Sequence, residues 1–301
     1  HEYVSAKNEK LSDVSRSEDE GFGVRVIADG SWGYASSNLV EKSEIERVSA
    51  AAVEIAKASA MLKKADVALI QEEQHIDVWR TPFIKDPFSI PLETKVDLLL
   101  KINAEMMRVN AIKVARSQMW FVRELQFFAS RDGSFIEQEL LRSGAGYSAT
   151  AVGDGDMQTR SFPDSHGGHF MSKGYELVEE MPLVENAQRT AEEAAALLSA
   201  PKCPEMKTDL ILSGSQLSLQ IHESVGHPAE LDRVLGTEAN YAGTSFVTID
   251  RLGKFQYASP IVNIVADSTI PCGLATVGYD DEGVQAQRWH IIENGIFVGY
   301  L

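Results

Sequence analysis

Two histidines and a glutamate stand close together in the run IHESVGHPAE, residues 221–230. Glu223 follows His222 directly, and His227 comes five positions after His222. Imidazole nitrogens are favoured zinc ligands, and a catalytic zinc takes three protein ligands plus a water. In that chemistry His222 and His227 supply two of the three. Zn2+ brings the pKa of its water down towards neutrality. Glu223, beside the first ligand, then takes the water's proton as general base and passes it to the leaving amine. The zinc-protease signature H-E-x-x-H sets its histidines four apart. Here one more residue intervenes, so the rival reading is two ordinary histidines on the surface and at the end of a helix.

The spacing decides what the backbone has to do. Each residue of an α-helix turns about 100°, so residues four apart lie about 40° from alignment and residues five apart about 140°. A straight helix would point the two imidazoles away from each other. Gly226 and Pro228 flank the second histidine. Glycine tolerates conformations that end a helix, and proline lacks a donor and discourages continuation. Either the helix ends near Gly226 and His227 swings back, or the helix widens into a π-type turn, a form frequent at functional sites. Both routes predict that the His222 and His227 side chains converge.

Several elements must position this run. Residues 23–35 alternate apolar and polar on either side of Asp29-Gly30, a hairpin signature. The Gly21-Phe22-Gly23 triplet lacks the G-x-G-x-x-G spacing and precedes a strand, so it is no nucleotide loop. A helix is expected from Ser43, with Glu46 completing a capping box and Ile45, Val48, Ala52, Ile55 and Leu62 on one face. A second is expected from near Ser89 and Pro91, with Val96, Leu99, Leu100, Met106 and Met107 as its stripe. Residues 112–141 read as strands with a turn at Arg131-Asp132-Gly133. Residues 144–168, with Asp154, Asp156, Asp164, His166 and His169, read as a long loop or as strands joined by loops. A third helix spans 185–198 and stops before Pro201. A strand over 208–212 is then expected to lead into a helix capped by Ser215, the helix that carries the histidines. Short strands and glycine turns follow to Leu301. The fold class is α+β: an N-terminal α/β domain, residues 1–200, then a mostly β domain from 201 to 301, entered through the motif-bearing helix. Both ends look cut, so this second domain is expected to be incomplete.

The chain has 301 residues, 44% hydrophobic and 24% charged, with a formal net charge of −16. Such a charge repels nucleic acid and anionic membranes. No apolar run is long enough to span a bilayer, and no signal segment opens the sequence. Cys203 and Cys272 read as free thiols of a cytoplasmic protein.

The run HESVGHPAELD resembles the HExxxH segment of the TldD branch of the TldD/PmbA metallopeptidases. GFGVRVIADGSWGYASSN is similar to that family's N-terminal hairpin, and DDEGVQAQRWHIIENGIFVGYL to its DDEG…IENG segment. The PmbA branch lacks the histidine pair. The resemblance implies a zinc-dependent peptidase that cuts unfolded or extended peptides inside an enclosed cavity. It pairs as a homodimer or as a heterodimer with a PmbA-type paralogue. It makes His222 and His227 zinc ligands and Glu223 the base, with Glu230 and Asp232 as supports behind the ligands. It also implies a third ligand, a cysteine in a glycine-rich segment that these 301 residues do not reach. Cys203 and Cys272 lack that context and read as structural.

Other polar groups read more simply. His166 and His169 could pair on a metal but sit in a polar loop. Asp280, Asp281 and Glu282 precede Gly283 as a turn between strands. Trp32, Trp120 and Trp289 read as core or interface aromatics. Two rival roles stay open: a non-catalytic peptide-binding or regulatory subunit of a TldD/PmbA-type complex, and a modulator of DNA topoisomerase, a role the family's older naming suggests. The charge disfavours direct DNA contact.

Overall fold

The computed structural model describes residues 1–153, 155–164 and 167–301. The chain folds as α+β, in two compact units.

The first unit holds His1 and residues 16–74. Strands β3 (Phe22–Ala28) and β4 (Ser31–Ser37) pair antiparallel, with Ala28 opposite Ser31. The two residues between them, Asp29 and Gly30, have φ of 50° and 71°, as a tight right-twisted hairpin turn requires. One face of this hairpin meets α1 (Lys42–Ala60). A Cβ on Gly33 would lie 2.0 Å from the Ala52 carbonyl oxygen, so only glycine allows that approach. The helix begins at Lys42, and no side chain caps it. Its first turn is held instead by an Arg47–Glu44 ion pair at 2.6 Å, so the expected Ser43 capping box does not form. The buried stripe is narrower than the sequence suggests. Val48, Ala52 and Ala56 are buried, whereas Ile45, Ile55 and Leu62 are exposed.

The second unit holds residues 2–15 and 75–301. Its main sheet runs β2 (Lys10–Arg16), β1 (Glu2–Lys7), β6 (Ile112–Ala129), β7 (Phe135–Gly153) and β5 (Ile76–Arg80), and β8 (Asp156–Phe162) and β9 (His169–Met171) also pair with β7. β6 and β7 form one long hairpin from Ala129↔Phe135 to Ile112↔Ala151, turning at residues 130–134 as expected. Much of the glycine-rich stretch is therefore strand. Gly144 and Gly146 sit inside β7 because Phe170 and the Gly168 backbone press on them, the usual reason for glycine in a strand interior.

Helices α2 (Leu92–Met107) and α4 (Leu183–Leu197) cover this sheet, and α3 (Glu176–Glu180) lies between them in sequence. Leu99, Ile102 and Met106 of α2 and Ala187, Ala191 and Ala194 of α4 pack on Val4, Met119, Phe121 and Tyr147. The α2 stripe also buries Lys95 and Asn103. The Lys95 ammonium is paired with Glu2 and donates to the Pro87 carbonyl at 2.6 Å. The charge is thereby compensated in the core.

Residues 201–213 form no strand. Leu210 and Ile211 are 78% and 97% exposed, and the alternation at 208–212 finds no neighbouring strand to pair with. Helices α5 (Gly214–Ile221) and α6 (Leu231–Leu235) follow, then a three-stranded sheet of β10 (Ile264–Asp267), β11 (Arg288–Glu293) and β12 (Ile296–Phe297). The chain between β10 and β11 reaches back to the main sheet. Buried Gln138 of β7 accepts from the amides of Gly278 and Tyr279 at 3.0 and 2.9 Å and donates to the Tyr279 carbonyl at 2.9 Å. The Tyr279 hydroxyl donates to Asp77 of β5 at 2.7 Å.

Candidate metal centre

The histidines lie where α5 ends. Ser213 occupies the helix cap position, two residues before the expected cap, with Ser215 already inside the first turn. From His222 to Gly226 the helix widens by a residue, closed by the His227 amide donating to the His222 carbonyl. A tight turn over His227–Ala229 follows, and then α6. Of the two routes open to the sequence, the chain takes the widened turn. Its glycine is not the cause: Gly226 has φ −55° and ψ −68°, ordinary helical values. A Cβ there would meet only the Ile221 carbonyl, at 3.9 Å.

The extra residue turns His227 back beside His222. The two ring centroids are 4.4 Å apart, with the planes at 73°. Ligand atoms of His222, Glu223 and His227 all lie within 4.8 Å of one another. His222 and Glu223 are exposed and His227 is partly so.

Glu230 holds His227 from behind, its Oε1 2.7 Å from Nδ1. An ionised carboxylate only accepts, so in the neutral imidazole Nδ1 carries the proton and Nε2 offers the lone pair that a metal would take. The other oxygen of Glu230 is 2.9 Å from Arg233, whose Nε lies 3.6 Å from Glu238. Arg233 was not singled out in the sequence. Its signal is the three-residue helical spacing from Glu230, itself three after His227. Asp232 accepts from the Arg233 amide at 2.7 Å, a contact to its own backbone rather than to a histidine.

The floor beneath the turn is apolar. Val225 and Ala229 are buried against Val247, Ile291, Ile292 and Phe297, so the three-stranded sheet supports the histidine turn directly. The last residue reinforces this: Leu301 donates to the Ala229 carbonyl at 2.8 Å and accepts from the Leu231 amide at 3.1 Å.

The remaining candidates lie elsewhere. Cys203 is exposed and Cys272 half-buried, and among the described residues neither joins the histidine group. His169 begins β9 and pairs with Ala145 of β7, whereas His166 lies outside the described residues. Asp280 accepts from the amides of Glu282 and Val284, at 2.8 and 2.9 Å, which makes the acidic triplet a turn. Trp120 packs edge-on to Phe170, Arg25 lies over Trp32, and Trp289 donates to the Tyr300 carbonyl. Among the described residues no helix is long and apolar enough to cross a membrane.

Comparison with known proteins agrees with this architecture. Three models of the PmbA/TldA metallopeptidases match in order: domain 1 at residues 1–56, the central domain at 85–200 and the C-terminal domain at 205–301. A metalloprotease of Methanocaldococcus jannaschii is 29% identical over 99% of this chain and 62% of its own length. A zinc metalloprotease TldD homolog of Saccharolobus solfataricus is 20% identical over 96% of this chain and 59% of its own. The chain thus spans about three-fifths of the curated relatives it matches. In fold, it is similar to a putative modulator of a DNA gyrase from Thermotoga maritima, with a TM-score of 0.71 at 18% identity over 100% of this chain and 64% of that one. TldE from Thermococcus kodakarensis gives 0.61 at 15%, with the same coverage of each chain. With all three family domains matched in sequence order across most of its length, the chain belongs to the PmbA/TldD metallopeptidase family.

Proposed function

We propose that this chain carries the metal-binding turn of a zinc-dependent peptidase acting on unfolded or extended peptides. The observation that carries this reading is the approach of His222 and His227 to 4.4 Å between ring centroids, despite a spacing that separates them on a straight helix. Two imidazoles, one with its proton fixed by a carboxylate, suit zinc. The third protein ligand, a cysteine in this reading, lies outside the 301 residues, a set that favours zinc over harder cations. When bound, zinc supplies Lewis acidity that lowers the pKa of water and polarises a peptide carbonyl.

The rest falls to the chain's own residues. His222 and His227 hold the metal, and Glu230 orients His227. Glu223, in the same group of ligand atoms, accepts a proton from the attacking water and returns it to the departing amine. Residues 201–301 begin the peptidase domain, a boundary that the matched segments 85–200 and 205–301 support, while residues 1–200 hold two matched segments, 1–56 and 85–200. The protein acts in the cytoplasm, as a homodimer or with a PmbA-type paralogue, and the fold shared with TldE supports such a partner.

The test is hydrolysis of an unstructured peptide by the full-length protein, with its paralogue present, for wild type against Glu223→Gln. Turnover is expected to fall by roughly 10²- to 10⁴-fold in the variant, the usual worth of a general base, while bound zinc is retained. If neither protein cuts peptide, the peptidase reading fails and a non-catalytic subunit takes its place.

A further inference from the structure

The widened turn deprives the Glu223 and Ser224 carbonyls of their helical donors, and Ser224 is the one a distant side chain reaches. In a regular helix the Ser224 carbonyl would accept from the amide four residues on. That residue is Pro228, which has no N–H to give. The turn's own closing bond runs from the His227 amide to the His222 carbonyl and leaves Ser224 out. Ser224 is exposed, so its carbonyl takes either water or a protein donor. The hydroxyl of Tyr257, 33 residues later, donates to it.

Packing fixes the aim of that hydroxyl. The Tyr257 ring sits among Phe246, Phe255 and Phe297, with centroids 5.6, 5.6 and 6.2 Å away. Burial pushes its phenol above the ordinary value, so it remains a donor throughout the neutral range. A side-chain donor inserted into the helical ladder tilts a carbonyl outward and opens the turn. Without it, the turn is free to tighten by one residue, so that the His227 amide donates to Glu223 instead of His222. That slip rotates His227 by about 100° and takes its imidazole away from His222.

We propose that Tyr257 is a positioning residue for the metal ligands: its hydroxyl stands in for the donor that Pro228 lacks and keeps the turn wide. The proposal rests on the reading of His222 and His227 as ligands. The structure also supplies its control. Tyr300 belongs to the same aromatic cluster, 4.9 Å from Phe297, and its hydroxyl also donates to a backbone carbonyl, that of Val247 at 3.1 Å. It makes no contact with the turn through that bond.

The experiment compares Tyr257→Phe with Tyr300→Phe in the full-length protein. Both keep the ring and remove only the hydroxyl. The first readout is the nuclear Overhauser contact between the His222 and His227 rings, in metal-free protein with labelled histidine. The second is zinc affinity by competition with a chelator. Tyr257→Phe is expected to lose the ring contact and to weaken zinc by about tenfold, the low end for residues supporting a ligand. Tyr300→Phe should keep both. The proposal is overturned if Tyr257→Phe keeps the ring contact, as it would were a water to replace the hydroxyl, or if Tyr300→Phe loses as much. If wild type shows the ring contact but binds no zinc, the ligand reading fails, while the contact in Tyr257→Phe still decides the role of the hydroxyl in the turn.

Discussion

Replacing Glu230 with alanine removes the carboxylate that fixes His227. The bond lost is 2.7 Å long and charged on the acceptor side. With it go the preference for a proton on Nδ1 and the restraint on the ring. Partners of this kind contribute about 10- to 100-fold to metal affinity. Two features of the structure point to the lower end. Both side chains are about a third exposed, at 34% and 31%, so solvent weakens the bond. Arg233, 2.9 Å from the second oxygen, already shares the carboxylate's charge. The expected loss is about tenfold, or about 1.4 kcal/mol. Chelator competition on the full-length protein measures it, with Asp232→Ala alongside. Asp232 removes a nearby exposed charge but touches neither histidine, so its effect should stay within about twofold. Unchanged affinity in Glu230→Ala, or an equal loss in Asp232→Ala, would refute the idea that Glu230 acts through His227.

Two further changes probe the turn and the buried start of α3. Gly226→Ala is expected to be tolerated or to stabilise by roughly 0.4–1 kcal/mol in urea unfolding, because the backbone there is already helical and alanine restricts the unfolded chain; a loss of that size would show that the turn needs glycine after all. Glu176 gives a prediction in pH. Burial pushes its carboxyl up, but the amides of Ile84, Lys85 and Gly174, at 3.1, 2.9 and 3.0 Å, outweigh that and leave it below the ordinary value. A folded pKa below the unfolded one adds stability above the ordinary carboxylate range, and the gain is lost as pH falls through the folded value. Glu176→Gln should therefore cost about 1.5–3 kcal/mol near neutrality, and its gap from wild type should close as the solution is acidified; a gap constant with pH would refute the assignment.

Much of this architecture was legible in local signals. Asp29-Gly30 and the turn before β7 are set by backbone chemistry within a few residues, and both fold as read. Signals that depend on what lies opposite misled. Ser43 and Glu46 have the spacing of a capping box, yet Glu44 pairs with Arg47 and the helix starts one residue earlier. The alternation at 208–212 describes a strand but cannot supply a neighbour. Composition left residues 144–168 open between a long loop and strands joined by loops, and the structure takes the strands, with Gly144 and Gly146 letting Phe170 and Gly168 approach.

The histidine turn shows the same division at a single site. Spacing is covalent, so a separation of five positions from His222 to His227 already required a deformed helix if the rings were to meet. The same run even states the difficulty of that deformation, because Pro228 falls four residues after Ser224 and withdraws its donor. What the local run does not contain is the compensating group. Glu230 is three residues from His227 and could be guessed from helical periodicity. Tyr257 is 33 residues from Ser224, and only the packing of Phe246, Phe255 and Phe297 delivers its hydroxyl there. A sequence can therefore reveal that a donor is missing from a deformed helix before it reveals which residue provides one. The unmatched carbonyl is the signal to carry forward, since it tells where in the fold to look for a residue that holds a metal turn open without touching the metal.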